Sequence, residues 1–151
     1  MQLVHLLLRQ VRQFPEREAI YFGPRPWATF EDWGRRSAGL AQRMRDAGLV
    51  EGDRVLLFMR NHPRYLEVLW AAWWAGLVVV PVNAKLHPRE TEWIIENAQA
   101  RWAFVTRDLA PEVLAGVERQ IDVESAECDA LLAPVERPLS VPVSERRPDD
   151  L

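Results

Sequence analysis

Apolar residues in this chain follow two patterns: stretches with helical periodicity, and short runs that do not alternate with polar residues. Residues 2–13 carry apolar side chains at helical spacing with arginines opposite, which predicts an amphipathic surface helix. A longer helical pattern follows Thr29, and the Thr-x-x-Asp spacing to Asp32 predicts a capped helix start. Gly48 is the expected end of that helix, because glycine commonly terminates helices.

Short strand candidates lie on both sides of the long helix. Residues 18–22 and 26–30 flank a glycine- and proline-rich turn, which predicts a small antiparallel hairpin. Residues 55–59, 77–82 and 101–105 are largely apolar runs without alternation. That pattern is typical of parallel strands with both faces covered, so we expect all three to be buried.

Helical patterns separate these three runs. Asn61 is the predicted cap of a helix that is apolar almost all round. Gly76 joins this helix to the middle run, where a positive φ angle would require glycine. Pro88 begins the next helix, and a short helix at 111–119 and a weak strand at 121–125 continue the alternation. Alternating strands and helices predict an α/β fold with a mainly parallel sheet flanked by helices.

The C-terminal part of the chain differs in composition from the rest. Prolines and charged residues dominate after Ala133, and the apolar periodicity stops there. We therefore predict an N-terminal α/β subdomain at 1–132, followed by an extended, Pro-rich connector at 133–151.

Composition limits the classes of function. The chain has 151 residues, enough for one domain or a piece of a larger one. Its net charge of −3 provides no basic excess for phosphates, so we expect no nucleic-acid partner. Cys128 is the only cysteine, which fits a reducing cytoplasm. The apolar stretch 65–82 is broken by Gly76 and Pro81, so we predict no transmembrane segment.

Few side chains point to catalysis. The glycines are scattered and form no phosphate-binding loop, and the histidines lie far apart without carboxylates at metal-ligand spacing. We therefore predict neither catalytic nor metal-binding residues. Cys128 is interpreted as a small core residue rather than a nucleophile. Trp70, Trp73 and Trp74 are candidates for an acyl pocket, but their helical spacing beside a predicted buried strand favours the core.

Six short motifs, taken with their order and spacing, resemble the AMP-forming acyl-CoA synthetases, also called adenylate-forming or AMP-binding ligases. The resemblance covers most of the chain and is closest at residues 69–83, which contain an AG-x-x-x-P-x-N signature. His87 departs from the family, which has a threonine cap there. The other five motifs are Ala28-Thr29-Phe30-Glu31-Asp32-Trp33, Gly52-Asp53-Arg54-Val55, Arg60-Asn61-His62-Pro63, Leu86-His87-Pro88-Arg89-Glu90 and Pro148-Asp149-Asp150-Leu151.

This resemblance implies the N-terminal part of a fatty-acid or aromatic-acid CoA ligase. Such enzymes use ATP, Mg²⁺ and coenzyme A to convert a carboxylic acid into an acyl-adenylate and then an acyl-CoA. The family's ATP loop, adenine segment, hinge and catalytic lysine have no counterpart in this sequence. We therefore expect this chain alone to be inactive, to bind no cofactor, and to require the rest of the ligase as its partner. Uncovered sheet edges would favour a homo-oligomer.

Three cations follow predicted strands: Arg60, Lys85 and Arg107. Ligands of open parallel sheets gather at the carboxyl ends of the strands, so these side chains are candidates for ligand contacts. In the family this edge lies near coenzyme A, and the resemblance implies contacts with the coenzyme A phosphates. The alternative, which their loop positions favour, is that they are solvated surface charges.

Three interpretations stay open from the sequence. The first is the N-terminal part of an AMP-forming acid–CoA ligase. The second is a non-catalytic scaffold or regulatory module that pairs with a separate ligase chain. The third is an unrelated nucleotide-binding α/β domain. The acyl substrate cannot be identified, because the family residues that select it have no counterpart in this chain.

Overall fold

A computed structural model describes residues 3–109, 114, 116–136 and 139–140. Its elements alternate along the chain after an N-terminal helix and a hairpin. They are α1 (Val4–Gln13), β1 (Glu18–Phe22), β2 (Arg25–Thr29), α2 (Phe30–Asp46), β3 (Arg54–Phe58), α3 (Arg64–Trp74), β4 (Val78–Val82), α4 (Pro88–Ala98), β5 (Trp102–Val105), β6 (Arg119–Asp122) and α5 (Ala126–Leu131).

The start of the chain folds as its pattern predicts. β1 and β2 form an antiparallel hairpin, and α2 begins directly after it. Thr29 Oγ1 accepts a hydrogen bond from the Asp32 N–H at 3.1 Å, and Asp32 Oδ2 accepts from the Thr29 N–H at 3.1 Å. This reciprocal capping box satisfies N–H groups that a helix start would otherwise leave unpaired. Gly48 follows the helix with φ +90°.

The four remaining strands form one parallel sheet in the order β4-β3-β5-β6. Side chains alternate along each strand, so the sheet has two faces. The α2/α3 face carries Val55 and Leu57 and packs against α2, α3 and α5, with α1 lying outside α2 and α3. The α4 face carries Leu56 and Phe58 and packs against α4 and Leu114. The predicted α/β fold is therefore confirmed.

The position of β4 corrects the expectation that it is buried. β4 lies at the edge of the sheet, and among the described strands only β3 pairs with it. Val78 is 38% exposed and Pro81 is also exposed. Pro81 was the signal for this outcome, because proline cannot donate to a ladder and is confined to edge strands or bulges.

The start of α3 also differs from the prediction. Asn61 does not cap this helix; Pro63 occupies the cap position and makes no side-chain cap hydrogen bond. Instead, His62 Nδ1 accepts a hydrogen bond from the Arg64 N–H at 3.2 Å. A histidine also caps the start of α4. His87 Nδ1 accepts a hydrogen bond from the Arg89 N–H, and the Glu90 carboxylate accepts one from the His87 N–H. His87 thus replaces the threonine cap of the family.

The end of α3 confirms the predicted glycine conformation. Gly76 has φ +79°, and its carbonyl accepts a hydrogen bond from the Gly52 N–H at 3.0 Å. A β-carbon on Gly76 would lie 3.2 Å from Cγ of Glu51. Both the backbone angle and the neighbouring side chain therefore favour glycine.

The C-terminal region contains one helix that the sequence did not reveal. α5 begins after Ser125, whose hydroxyl accepts a hydrogen bond from the Cys128 N–H at 3.2 Å. Strand β6 at Arg119–Asp122 starts earlier than the predicted strand at 121–125. The predicted helix at 111–119 is wrong at its C-terminal end, because residues 116–118 form no helix and Arg119 already belongs to β6, whereas residues 111–113 and 115 lie outside the described residues. Within the described part of the chain, no helix has the length and apolar character needed to cross a membrane.

Residues that follow α5 lie across α2 rather than away from it. Arg43 donates to the carbonyls of Leu131 and Ala133, and Arg35 donates to the carbonyl of Val135. Residues 133–136 contain no helix or strand, in agreement with an extended segment. Much of 133–151 lies outside the described residues, so the predicted boundary after residue 132 stays a prediction.

Candidate functional site

A cleft of about 550 Å³ opens at the carboxyl ends of β3 and β4. This is the edge at which open parallel sheets bind ligands. Two of the three predicted cations, Arg60 and Lys85, line it together. The remaining lining residues are Met59, Asn61, Tyr65, Val82, Asn83 and Ala84.

Hydrogen bonds hold the two loops that form the cleft. The Arg60 N–H donates to Thr106 Oγ1 at 3.2 Å, which ties the end of β3 to the end of β5. On the other side, Asn83 Oδ1 accepts from the Lys85 N–H at 2.9 Å, and the Asn83 carbonyl accepts from the Leu86 N–H at 3.1 Å. This Asx turn fixes the backbone of Lys85 directly after the strand.

The three predicted cations differ in their ion pairs. Arg60 forms an ion pair with Asp108, and hydrogen bonding from the Arg60 guanidinium holds the pKa of that carboxyl below its ordinary value. Arg107 pairs with Asp122 at 3.0 Å and is 83% exposed, outside the lining of the cleft. Lys85 is exposed and makes no ion pair with any described residue. It is therefore the cation at the cleft most available to an anionic ligand.

A second polar site surrounds Glu67, which is not among the predicted site residues. Its side chain is 1% exposed on α3, and Oε1 accepts hydrogen bonds from Arg36 at 2.9 Å and from the Trp27 indole at 3.1 Å. The Glu67 carbonyl accepts from the Ser37 hydroxyl at 3.0 Å. These bonds connect the hairpin, α2 and α3 at one buried carboxylate. A single carboxylate within an otherwise largely apolar helix was the signal that could have found it.

Next to Glu67, Arg64 binds the C-terminal region. Its guanidinium donates to the Val123 carbonyl at 2.6 Å and forms an ion pair with Asp129. A cavity of about 380 Å³ lies between these charged groups, with Trp27, Arg36, Leu132, Ala133 and Pro134 also in its wall. Each of the two arginines already has a carboxylate partner, so the cluster is electrically balanced.

His62 lies in an aromatic groove between the hairpin and α3. Its ring centroid is 5.3 Å from that of Phe22 and 5.5 Å from that of Trp27. Burial lowers the pKa of His62 below its ordinary value of 6.5. The nearby carboxylates Glu124, Glu67 and Asp122 raise this pKa, but their effect is smaller than that of burial. The groove has a volume of about 520 Å³.

Asp53, in the family-like motif Gly52-Asp53-Arg54-Val55, stabilises the turn before β3. Its carboxylate accepts hydrogen bonds from the Val50 N–H at 2.8 Å and from Arg101 at 2.7 Å. These bonds, the backbone one first, lower the pKa of Asp53. Arg101 also pairs with Glu118, so the turn before β3 is tied to the residues before β6. The role of Asp53 here is to hold a turn.

The tryptophans and the cysteine belong to the core, as their pattern predicts. Trp74 is buried, and Trp70 lies between Trp33 and Trp73 with ring centroids 4.8 and 4.9 Å away. Cys128 is fully buried, and desolvation raises the pKa of its thiol to about 11. A thiol with such a pKa is a poor nucleophile at neutral pH. Neither group forms part of the cleft.

Comparison with known families decides the assignment. The family described as AMP-binding enzyme matches residues 7–151. This chain belongs to the AMP-binding enzyme family. The resemblance seen in the sequence is therefore confirmed.

Curated relatives of this AMP-binding family chain include feruloyl-CoA synthase of Amycolatopsis sp., which is 36% identical over 124 residues. That match covers 82% of this chain and 25% of the relative. The 2-succinylbenzoate–CoA ligase of Geobacillus kaustophilus is 34% identical over 96 residues, covering 64% of this chain and 19% of the relative. The chain thus spans about a quarter or less of the curated relatives it matches.

Solved structures agree on the fold. A putative long-chain-fatty-acid CoA ligase from Rhodopseudomonas palustris aligns with a TM-score of 0.79 at 24% identity, covering 95% of this chain and 39% of that one. A benzoate CoA ligase from Burkholderia xenovorans aligns with a TM-score of 0.78 at 20% identity, covering 91% and 30%. The described architecture is therefore that of the N-terminal part of acyl-CoA synthetases.

Proposed function

We propose that this chain is the N-terminal part of an ATP-dependent, AMP-forming carboxylic acid–CoA ligase. The supporting observation is the family match over residues 7–151, together with relatives that are named as acid–CoA ligases. In the proposed reaction a carboxylate oxygen attacks the α-phosphorus of ATP, and pyrophosphate leaves. The thiolate sulfur of coenzyme A then attacks the acyl carbon, and AMP leaves.

These 151 residues contribute a scaffold rather than the reacting groups in this proposal. The described residues contain no cluster of histidine, cysteine or carboxylate side chains suited to a metal ion. The sequence also has no glycine-rich loop whose backbone N–H groups could hold phosphates. We therefore assign ATP and Mg²⁺ to residues of a longer polypeptide and expect no turnover from this chain alone.

The names of the relatives suggest which class of acid substrate to test first. Two of the relatives, feruloyl-CoA synthase and 2-succinylbenzoate–CoA ligase, have aromatic substrates in their names. We therefore propose an aromatic acid as the first class to test, with fatty acids as the second class.

Lys85 is the residue of this chain that we assign to ligand binding. Its uncompensated charge stands at the carboxyl end of β4, beside Arg60 in the cleft. A phosphate of coenzyme A is the ligand that we propose for this charge. Lys85→Gln removes the charge, whereas Arg107→Gln removes an exposed charge outside the cleft that is paired with Asp122. Lys85→Arg is the conservative control.

The test uses the polypeptide that includes the residues encoded after Leu151. We expect pyrophosphate release with at least one aromatic or fatty acid, and formation of the corresponding acyl-CoA. Lys85→Gln should raise the KM for coenzyme A severalfold without changing the KM for ATP, and Arg107→Gln should change neither. No pyrophosphate release with any acid would reject the ligase. Activity that appears only when a separate ligase chain is added would support the scaffold module instead.

A further inference from the structure

The start of α3 forms a wall that the cleft and the aromatic groove share. Asn61 and Tyr65 line both the cleft at the carboxyl ends of β3 and β4 and the groove beside the hairpin. His62 lies between these two residues in sequence, and its side chain lines the groove. Whatever fixes the first turn of α3 therefore also fixes one side of the cleft.

His62 holds this first turn through two acceptors. Its ring Nδ1 accepts a hydrogen bond from the Arg64 N–H at 3.2 Å, and its carbonyl accepts one from the Tyr65 N–H at 3.0 Å. Pro63 occupies the cap position but makes no side-chain cap hydrogen bond. The His62 ring therefore supplies the side-chain cap of α3, a role that serine, threonine, asparagine or aspartate fills in most helices.

This cap works only while Nδ1 carries no proton. In an imidazolium both ring nitrogens are donors, so a proton on Nδ1 leaves the Arg64 N–H without its acceptor. The added positive charge also lies at the N-terminus of α3, where the helix dipole opposes it. In addition, the ring packs against Phe22 and Trp27, which keep it away from water.

The charges around His62 determine when this change occurs. Arg64 and Glu67 act on it from α3, Asp122 acts from β6 and Glu124 from the turn after β6, whereas the hairpin contributes uncharged rings. Burial, helped by Arg64, outweighs the carboxylates and lowers the pKa of His62 below 6.5. The cap is therefore intact at neutral pH and is lost in mild acid.

We propose that His62 is a proton-sensitive latch on the wall of the cleft. In mild acid its ring takes up a proton, releases the Arg64 N–H and loosens the first turn of α3. The change extends to α5, because the Arg64 guanidinium donates to the Val123 carbonyl and pairs with Asp129. The latch is a property of the fold, so it goes beyond the proposed function and does not depend on it.

Hydrogen exchange of single backbone amides tests the latch. It is measured at pH 7.5 and pH 5 on the polypeptide that includes the residues encoded after Leu151, and each rate is compared with that of an unstructured chain at the same pH. We expect the protection of the Arg64 N–H to fall about fivefold at pH 5, a size typical of a lost helix cap. The Asp32 N–H, which the Thr29 hydroxyl caps, should keep its protection.

His62→Asn is the matched variant. The carboxamide oxygen of asparagine caps helices well and takes up no proton in this pH range. In this variant the protection of the Arg64 N–H should be the same at both pH values. A fivefold fall in the variant as well, or an equal fall at Asp32 in the wild type, would overturn the proposal.

NMR titration of the wild type gives a second measurement that does not need the variant. The chemical shifts of the His62 ring and of the Arg64 amide should change with one midpoint below pH 6.5. Separate midpoints, or an Arg64 amide that does not respond, would reject the latch. Neither measurement uses acyl-CoA formation, so the latch and the proposed ligase can fail independently of each other.

Discussion

Neighbouring side chains of β3 enter two clusters that differ in how they are covered. Leu57 points to the α2/α3 face, where α2, α3 and α5 form a closed layer. Leu56 points to the α4 face, where α4 and Leu114 are the main cover. The α2/α3 face also contains buried polar groups, Ser37 and Glu67, that are hydrogen-bonded across elements. The α2/α3 face thus joins several helices through a buried polar network, whereas the α4 face is the smaller cluster among the described residues.

This difference between the two faces predicts that substitutions on them cost different amounts of stability. On the α2/α3 face, apolar packing and a buried polar network act together, so changes there should be severe. On the α4 face, a smaller cluster of described residues covers the sheet, so a cavity can relax or admit water at lower cost. Interiors close to a surface collapse more readily around a deleted side chain, which reduces the cavity penalty.

The largest expected effect comes from a matched pair on one strand. Leu57→Ala and Leu56→Ala delete the same atoms from two residues that are both 0% exposed. We expect Leu57→Ala to lower the free energy of unfolding by about 4 kcal/mol and Leu56→Ala by about 2–3 kcal/mol. Urea denaturation of the two variants measures both values. Equal losses would show that the α4 face is as closed as the other.

The buried carboxylate of the α2/α3 face should give the next largest effect. Glu67→Ala leaves the Arg36 guanidinium and the Trp27 indole without their acceptor. We expect a loss of about 2 kcal/mol, below the usual cost for a fully buried pair because Arg36 is 29% exposed. Glu31→Ala is the control, since it removes an exposed i,i+4 pair with Arg35 worth at most about 0.5 kcal/mol. Similar denaturation midpoints for Glu67→Ala and Glu31→Ala would show that the hydrogen bonds of Glu67 do not stabilise the fold more than an exposed ion pair does.

Gly76, where the closed core meets the edge strand, should have a moderate effect. Gly76→Ala adds backbone strain at φ +79° and a close approach to Glu51 at 3.2 Å. Gly48→Ala adds strain at φ +90° with no atom within 4 Å of the new β-carbon. We expect losses of about 2 and about 1 kcal/mol, and a larger loss for Gly76→Val. If chemical denaturation gives the same midpoint for the two alanine variants, contact with Glu51 does not matter.

The smallest expected effect depends on pH. Burial lowers the pKa of His62 in the folded state, so between that value and 6.5 the unfolded chain binds more protons. The stability that neutral His62 contributes is therefore fully present above pH 6.5, and it is lost as the pH falls through the pKa of His62 in the folded state. This loss of stability is measured from the thermal unfolding of the wild type and of His62→Gln at several pH values between 7.5 and 5. The variant should lose less stability on acidification; parallel curves would contradict the assignment to His62.

Local chemistry explains which elements the sequence could predict. The Thr29–Asp32 capping box, the hairpin and the positive φ of Gly76 depend on neighbours in sequence, and all three were predicted correctly. The strand order β4-β3-β5-β6 depends on long-range packing, and no local pattern encodes it. Pro81 did carry information about the edge, but the aliphatic residues around it outweighed that signal.

The candidate site was predictable only in part. The general tendency of ligands to bind at the carboxyl ends of strands placed Arg60 and Lys85 on the correct side of the sheet, and they do share a cleft. Arg107 follows β5 and pairs with Asp122 instead, because β6 is its neighbour and supplies a carboxylate. The link from Glu67 to Arg36 and Trp27 spans distant positions in the chain, so sequence spacing could not reveal it.

The segment after α5 has a consequence for the order in which the protein forms during synthesis. Arg43 emerges from the ribosome long before its acceptors, Leu131 and Ala133, which follow it by 88 and 90 residues. Trp74 likewise donates to the Ser140 carbonyl, 66 residues later. Domains on a growing chain fold as units once their contacts are available. Helix α2 therefore gains its last hydrogen-bond partners only when nearly all of these residues have been translated.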